Sequence, residues 1–211
     1  MIPSASSLAL FCLASVALAV VPGPAVAYIV TQSVDKGRRA GLASALGVSN
    51  GGLVHVAAAT AGLSALVASS ATAFTAVKLV GSAYLIVVGI RRILGRDADE
   101  DDEQPSPARH RKLWAQGVVV NVLNPKTALF FLAFLPQFVD AHRGSVALQV
   151  AFLGVIFVAI AFTSDCAYAV AADLLAGRLR RSGRGAKLRR WASGGVFVVL
   201  GVTAAAARRA T

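Results

Sequence analysis

Lys126 and Asp165 lie inside two of the most apolar stretches of this 211-residue chain. An ionised side chain at the centre of a membrane helix costs about 2.5 to 3.5 kcal/mol on insertion scales. An acid kept at such a position can bind and release a proton, and the Lys126 ammonium is expected to face a carboxylate or water. Asp165 sits in Phe162-Thr163-Ser164-Asp165-Cys166-Ala167-Tyr168, and Tyr168, three residues on, shares its helix face, so an acid and a phenol point the same way. Burial opposes the ionised carboxylate and a lysine neighbour favours it; a group poised between those pulls is what a proton-coupled carrier needs. The alternative is a structural Asp165–Lys126 ion pair that merely ties two segments together. His55 is a weaker candidate for the same work. It stands about 140° around a helix from Asn50, so the two form no cluster, and it serves equally well as a satisfied packing residue. Lys78 sits about two turns into its segment, where its long stem can reach the headgroups.

Lys126 also belongs to one of two interruptions, Pro22-Gly23-Pro24 in the first half and Asn124-Pro125-Lys126 in the second. Proline removes a backbone donor and pushes the preceding residue out of the helical region, at roughly 3 kcal/mol in a helix interior. Each motif is therefore expected to open a helix inside the bilayer. Lipid offers the freed backbone no partner, so such breaks survive only where protein or a polar cavity receives them, and in carriers that cavity is commonly the substrate site.

The elements that must position these groups are read from composition. The chain is 56% hydrophobic and 15% charged, with a mean hydropathy of +0.68, far too apolar for a soluble domain of its size. Six stretches near the ~20 residues of a spanning helix can be drawn, at 6–32, 41–67, 71–90, 113–139, 146–175 and 191–207. A cleaved signal peptide is the rival reading of the first, but residues 1–11 carry no Lys or Arg for a basic n-region. Sixteen of the 21 Lys and Arg fall in the three loops after spans one, three and five, against Arg143, Arg208 and Arg209 on the opposite face. That asymmetry places both termini outside the cytoplasm, and it explains the net charge of +11 by anionic headgroups, with no nucleic acid required. The acidic run 97–103 followed by Gln104-Pro105-Ser106-Pro107 reads as a solvated cytoplasmic linker. Gly47, Gly51, Ala58 and Gly62 form a small-residue series suited to close helix packing.

The two halves resemble one another. Val34-Asp35-Lys36-Gly37-Arg38 sets beside Val139-Asp140-Ala141-His142-Arg143, and Gly81–Gly89 beside Ser193–Gly201. Since three spans is an odd number, the second half must enter the membrane inverted. The expected fold is an all-α membrane protein of six transmembrane helices in two inverted three-helix repeats, 1–96 and 113–211, joined by a linker at 97–112.

Pro22-Gly23-Pro24, Lys78 to Leu85 with Gly89, Asn121 to Lys126 followed by Phe130-Phe131 and Pro136-Gln137-Phe138, then Asp165 with Tyr168, and Gly194-Gly195 with Gly201, form an ordered set similar to the LysE/RhtB family of amino-acid exporters. The resemblance implies a bacterial inner-membrane exporter of amino acids or close derivatives, driven by an ion gradient, here read as proton antiport, and neither an enzyme nor dependent on a cofactor. The expected substrate-binding set is Pro22, Gly23, Pro24, Asn121, Asn124, Pro125, Lys126 and Tyr168, with Asp165 and His55 coupling the ion and the opened half-helices offering amides to the substrate carboxylate. Expected partners are the amino acid, the proton and the lipid bilayer; a homo-oligomer is left open. Two rival functions are weighed. A thiol-disulfide electron conduit would use Cys12 and Cys166, but Cys12 falls in the outer part of span one and Cys166 about 30 Å deep in span five at helical rise, too far for a bridge. A heavy-metal or other small-solute exporter would want clustered ligands, whereas His55, His110 and His142 are isolated.

Overall fold

The structure, a computed structural model, describes residues 5–62, 107–140 and 144–179, with isolated positions at 83, 86, 87, 90, 94, 198 and 202. Apart from those isolated positions, the expected third and sixth spans, with Lys78, lie outside the described residues, as do the acidic run and Arg143. All regular structure among the described residues is helical. Helix α1 (Ala5–Val20) and α2 (Pro24–Lys36) form one unit bent by 51°, followed by α3 (Arg38–Thr60). The second bent unit, at 48°, joins α4 (Pro107–Val122) to α5 (Pro125–Leu129), whose course continues as a π-helical turn (Phe130–Phe134) and a 3-10 turn (Leu135–Phe138). The long helix α6 (Val146–Leu179) follows. Helices α3 and α6 are each long and apolar enough to cross a membrane, and each bent pair qualifies as one broken span. The described part is thus all-helical with two to four candidate membrane spans. Helix α4 opens at Pro107, so the end of the stretch drawn as linker is helical.

Both breaks fall at the proline motifs, but the prolines themselves are not strained. Pro24 and Pro125 each occupy the first turn of the helix that follows, where the missing N–H has no intrahelical partner to lose and the fixed φ suits the helix. The interior-proline cost expected from sequence is therefore not incurred. Lys126, expected within the break, lies in the first turn of α5, and Asn124 caps that helix by accepting from the Lys126 backbone N–H at 3.1 Å. Gly23 precedes α2 in extended backbone, with no side chain capping the first turn. Helices α2 and α3 meet at Gly37, whose φ of 87° is open to glycine without steric cost.

Small residues bring α3 onto α4. A Cβ on Gly47 would stand 2.0 Å from the Trp114 carbonyl oxygen, one on Gly51 2.7 Å from that of Val118, and one on Gly117 2.6 Å from that of Ser44. With lipid on the outside offering little net gain from burial, such backbone-to-backbone contact is what holds membrane helices together. Gly62, counted in the same series, lies beyond the end of α3 with nothing within 4 Å of its Cβ position, so it takes no part. Helix α6 packs across α1, α2 and α3. Two apolar clusters result, one around Phe11, Phe130, Phe131 and Phe157, the other around Tyr28, Ile29, Ala45 and Val48.

Candidate functional site

A helix ends with carbonyls that have no intrahelical donor and with a partial negative charge of roughly half an electron. At the end of α1 those carbonyls are met by three side chains from far along the chain. Lys126 Nζ donates to Leu18 O at 2.7 Å and also to Val21 O; Ser164 Oγ donates to Ala19 O at 3.3 Å, and Tyr168 Oη to Val20 O at 2.6 Å. The lysine reaches its seat by crossing Gly23, where a Cβ would stand 3.1 Å from Lys126 Cδ. A Cβ at Gly23 would press on this stem, a matter of space rather than of conformation, since its φ of −137° suits any residue. Lys126 was expected to face a carboxylate or water; its ammonium is seated instead on backbone carbonyls.

The second break is held by Asn121, which is 6% exposed. Its Nδ2 donates to Val48 O at 2.7 Å, and its Oδ1 accepts from Thr127 Oγ1 at 2.8 Å and from Asn124 Nδ2 at 3.3 Å. The Asn121 backbone carbonyl accepts from His55 Nε2 at 3.0 Å, and the His55 ring stacks on Phe131 with centroids 5.8 Å apart. His55 therefore braces the break from behind.

Between the two breaks lies a cavity of about 60 Å³, polar and roomy enough to hold water. Leu18 and Ala19 of α1, Ala25 and Val26 of α2, and Val48, Ser49 and Gly52 of α3 line it on one side; Asn121, Asn124, Lys126 and Thr127 of the second bent unit and Phe157, Val158, Ala161, Phe162 and Asp165 of α6 complete it. The cavity sits where the two apolar clusters meet, since Phe157 and Val158 belong to one and Ala25 and Val48 to the other. Asp165 is 5% exposed. Among the described residues its carboxylate has no hydrogen-bond partner and no ion pair within 4 Å, and Lys126 is the cation whose field acts on it. The direct Asp165–Lys126 ion pair weighed from sequence is thus absent; the two charges share a cavity instead. Such an arrangement can hold opposite charges at separate points of one small polar molecule.

Of the residues singled out from sequence, Asn121, Asn124, Lys126 and Asp165 line the cavity, Gly23 lies under the Lys126 stem, and Tyr168 closes the α1 terminus. Pro22, Pro24, Pro125 and His55 are not among the lining residues. Ser49, Gly52, Thr127 and Ser164 were not anticipated. Ser164 and Thr127 adjoin Asp165 and Lys126 in sequence, a usable signal, but nothing in the sequence separates Ser49 from its neighbour Asn50. The free thiols of Cys12 and Cys166 pack against different clusters. Among the described residues no three His, Cys, Asp or Glu converge as a metal site requires.

Comparison with known proteins bears on this architecture. The chain is 29% identical over 200 residues to the homoserine/homoserine lactone efflux protein of Salmonella typhimurium, covering 95% of this chain and 96% of that protein. It is 31% identical over 133 residues to an uncharacterized membrane protein of Vibrio cholerae, covering 63% and 65% of the two chains, and 28% identical over 153 residues to the uncharacterized membrane protein YrhP of Bacillus subtilis, covering 68% and 72%. No solved structure matches it significantly. The model of the LysE type translocators matches residues 16–208, nearly the whole chain with both breaks, and the protein therefore belongs to this family of membrane transporters.

Proposed function

We propose that this protein exports amino acids from the bacterial cytoplasm by proton antiport. Its body in this reading is six helices in two inverted repeats, 1–96 and 113–211, with both termini outside the cytoplasm. The observation that carries the reading is a buried Asp165 carboxylate without a hydrogen-bond partner among the described residues, in one cavity with a lysine laid across a broken helix. Lys126 and the first-turn amides of α2, which no side chain caps, receive the substrate carboxylate; Asp165 receives the ammonium, or the exchanged proton on the return. Asn124 already occupies the Lys126 amide, so the α5 terminus contributes less than α2. The name of the Salmonella relative, an efflux protein for homoserine and its lactone, points to the same substrate class.

The choice of a proton over a metal cation has its own support. In carriers with broken helices the unwound carbonyls commonly hold the coupling cation, and here the Leu18 and Val21 carbonyls already hold the Lys126 ammonium. A tethered cation in that seat leaves the coupling to a group that binds a proton. The test is efflux of radiolabelled amino acids from loaded vesicles under an imposed pH gradient. Wild-type protein should drive efflux against a concentration gradient, and Asp165→Asn should lose the pH-driven component. An Asp165→Asn protein with wild-type pH dependence would make this carboxylate structural.

A further inference from the structure

Among the described residues the buried side-chain polar atoms without a hydrogen-bond partner are Ser15 Oγ, Gln32 Oε1 and Ser33 Oγ, all on the bent unit of α1 and α2. Ser15 lies one turn before Ala19, and Gln32 and Ser33 lie two turns beyond Ala25 and Val26 on the same faces of α2. Ala19, Ala25 and Val26 line the cavity, so these orphan atoms extend its course along the unit in both directions. Such atoms disfavour the arrangement that buries them, and lipid gives no relief.

What buries Ser33 is a meeting of three helices. A Cβ on Gly41 would overlap Ser33 Oγ and stand 2.9 Å from Ser33 Cβ and 3.1 Å from Ala169 Cβ, so the Ser33 hydroxyl fills the place that a side chain at 41 would take. Gly41 is two turns from Val48 on α3, and Ala169 is one turn from Asp165 on α6; Val48 and Asp165 also line the cavity. The contact therefore closes the end of the cavity toward Gly37, about 6 to 10 Å beyond its wall at helical rise. Tyr28, Ile29 and Ala45, packed in one apolar cluster with Ala25, Val48 and Ala169, fill the interval.

We propose that Gln32 and Ser33 belong to the path by which substrate reaches the cavity, and that the contact of Ser33, Gly41 and Ala169 is the gate that closes this path. The proposal rests on the exporter reading above and adds its entry route, on the cytoplasmic side in the orientation given there. Serine, glycine and alanine can part without stranding a long side chain. Parting admits water or substrate to Ser33 Oγ and Gln32 Oε1, and the amide oxygen can accept from an incoming ammonium. Close packing favours the shut arrangement and the orphan atoms favour the open one, so neither prevails by much, as a gate requires.

The test is counterflow by the purified full-length protein in proteoliposomes, with homoserine, threonine, leucine and lysine as probes. Ser33→Cys and Ala169→Cys are combined in a background lacking Cys12 and Cys166, and the two thiols are bridged by mercuric ion. Bridging should lower counterflow at least about tenfold, excess dithiothreitol should restore it, and each single cysteine should be insensitive to the ion. Gln32→Leu replaces the orphan amide by an apolar group and favours the shut contact; counterflow should fall at least about fivefold with the melting temperature held or raised. Gln32→Asn keeps an amide and should stay within about threefold of wild type. Should the double-cysteine variant not fold, the Gln32 pair decides alone. Bridged protein that works at the unbridged rate, or Gln32→Leu that works at the wild-type rate, overturns the gate and leaves the exporter reading intact. Folded wild-type protein that carries none of the four probes overturns both.

Discussion

Replacing Lys126 by methionine keeps an unbranched stem across Gly23 and removes only the ammonium. Its bond to Leu18 O is 2.7 Å long and part-buried, and a charge-assisted bond of that kind contributes about 1.5 to 3 kcal/mol. The bond to Val21 O is exposed, so water replaces it at little cost. On the other side, removing a cation from a span relieves about 2.5 to 3.5 kcal/mol on insertion scales. The terms nearly cancel, and Lys126→Met should change the unfolding free energy in micelles by less than about 2 kcal/mol. Export should nevertheless fall at least a hundredfold in counterflow, because the substrate carboxylate loses its cation. A structural ion pair predicts another pattern: each single change, Lys126→Met or Asp165→Asn, would strand a buried charge at about 3 to 5 kcal/mol, and the double variant would recover most of it. The reasoning fails if Lys126→Met is that destabilising and Lys126→Met/Asp165→Asn restores both folding and export.

Asn121→Leu removes the bonds to Val48 O, Asn124 and Thr127 and leaves the Val48 carbonyl buried without its donor; a loss of about 2 to 4 kcal/mol is expected by denaturant unfolding, and a loss below 1 would mean the break is held elsewhere. Gly47→Ala places a Cβ 2.0 Å from a backbone carbonyl, which cannot yield without parting α3 from α4, so folded protein should largely disappear, whereas Gly62→Ala, in open space but at φ +77°, should cost only about 1 to 2 kcal/mol. Pro125→Ala should alter stability by less than about 1 kcal/mol and leave export in place, because a first-turn proline incurs no interior penalty and Asn121 and Asn124 still hold the break; a straightened span with lost export would return the role to the proline. For topology, single cysteines at Ser106 and Arg143 in a background lacking Cys12 and Cys166 should react with an impermeant maleimide on intact cells at Arg143 alone, and the opposite pattern would invert the orientation.

Much of this protein follows from local physical chemistry. A chain that is 56% hydrophobic and 15% charged, with its apolar residues gathered in stretches near 20 residues long, points to lipid, where a single segment satisfies its own backbone as a helix, so helical spans and the positions of their interruptions are legible before any folding is considered. The same reasoning marks Lys126 and Asp165, since an ionisable group in a span is costly wherever its helix packs. What holds the breaks open was not legible. Proline stops a helix from its own position, but the carbonyls it frees at Leu18 to Val21 are satisfied by Lys126, Ser164 and Tyr168, residues more than a hundred positions away that only packing brings near. Asn121 likewise shows no sign in sequence that its amide will bind Val48 O across helices. Nor does sequence separate a charge pair from two charges facing one cavity: that turns on a few ångströms between α5 and α6. How closely helices approach, as α3 and α4 do at Gly47, Gly51 and Gly117, is a property of the assembled tertiary structure and of no single segment.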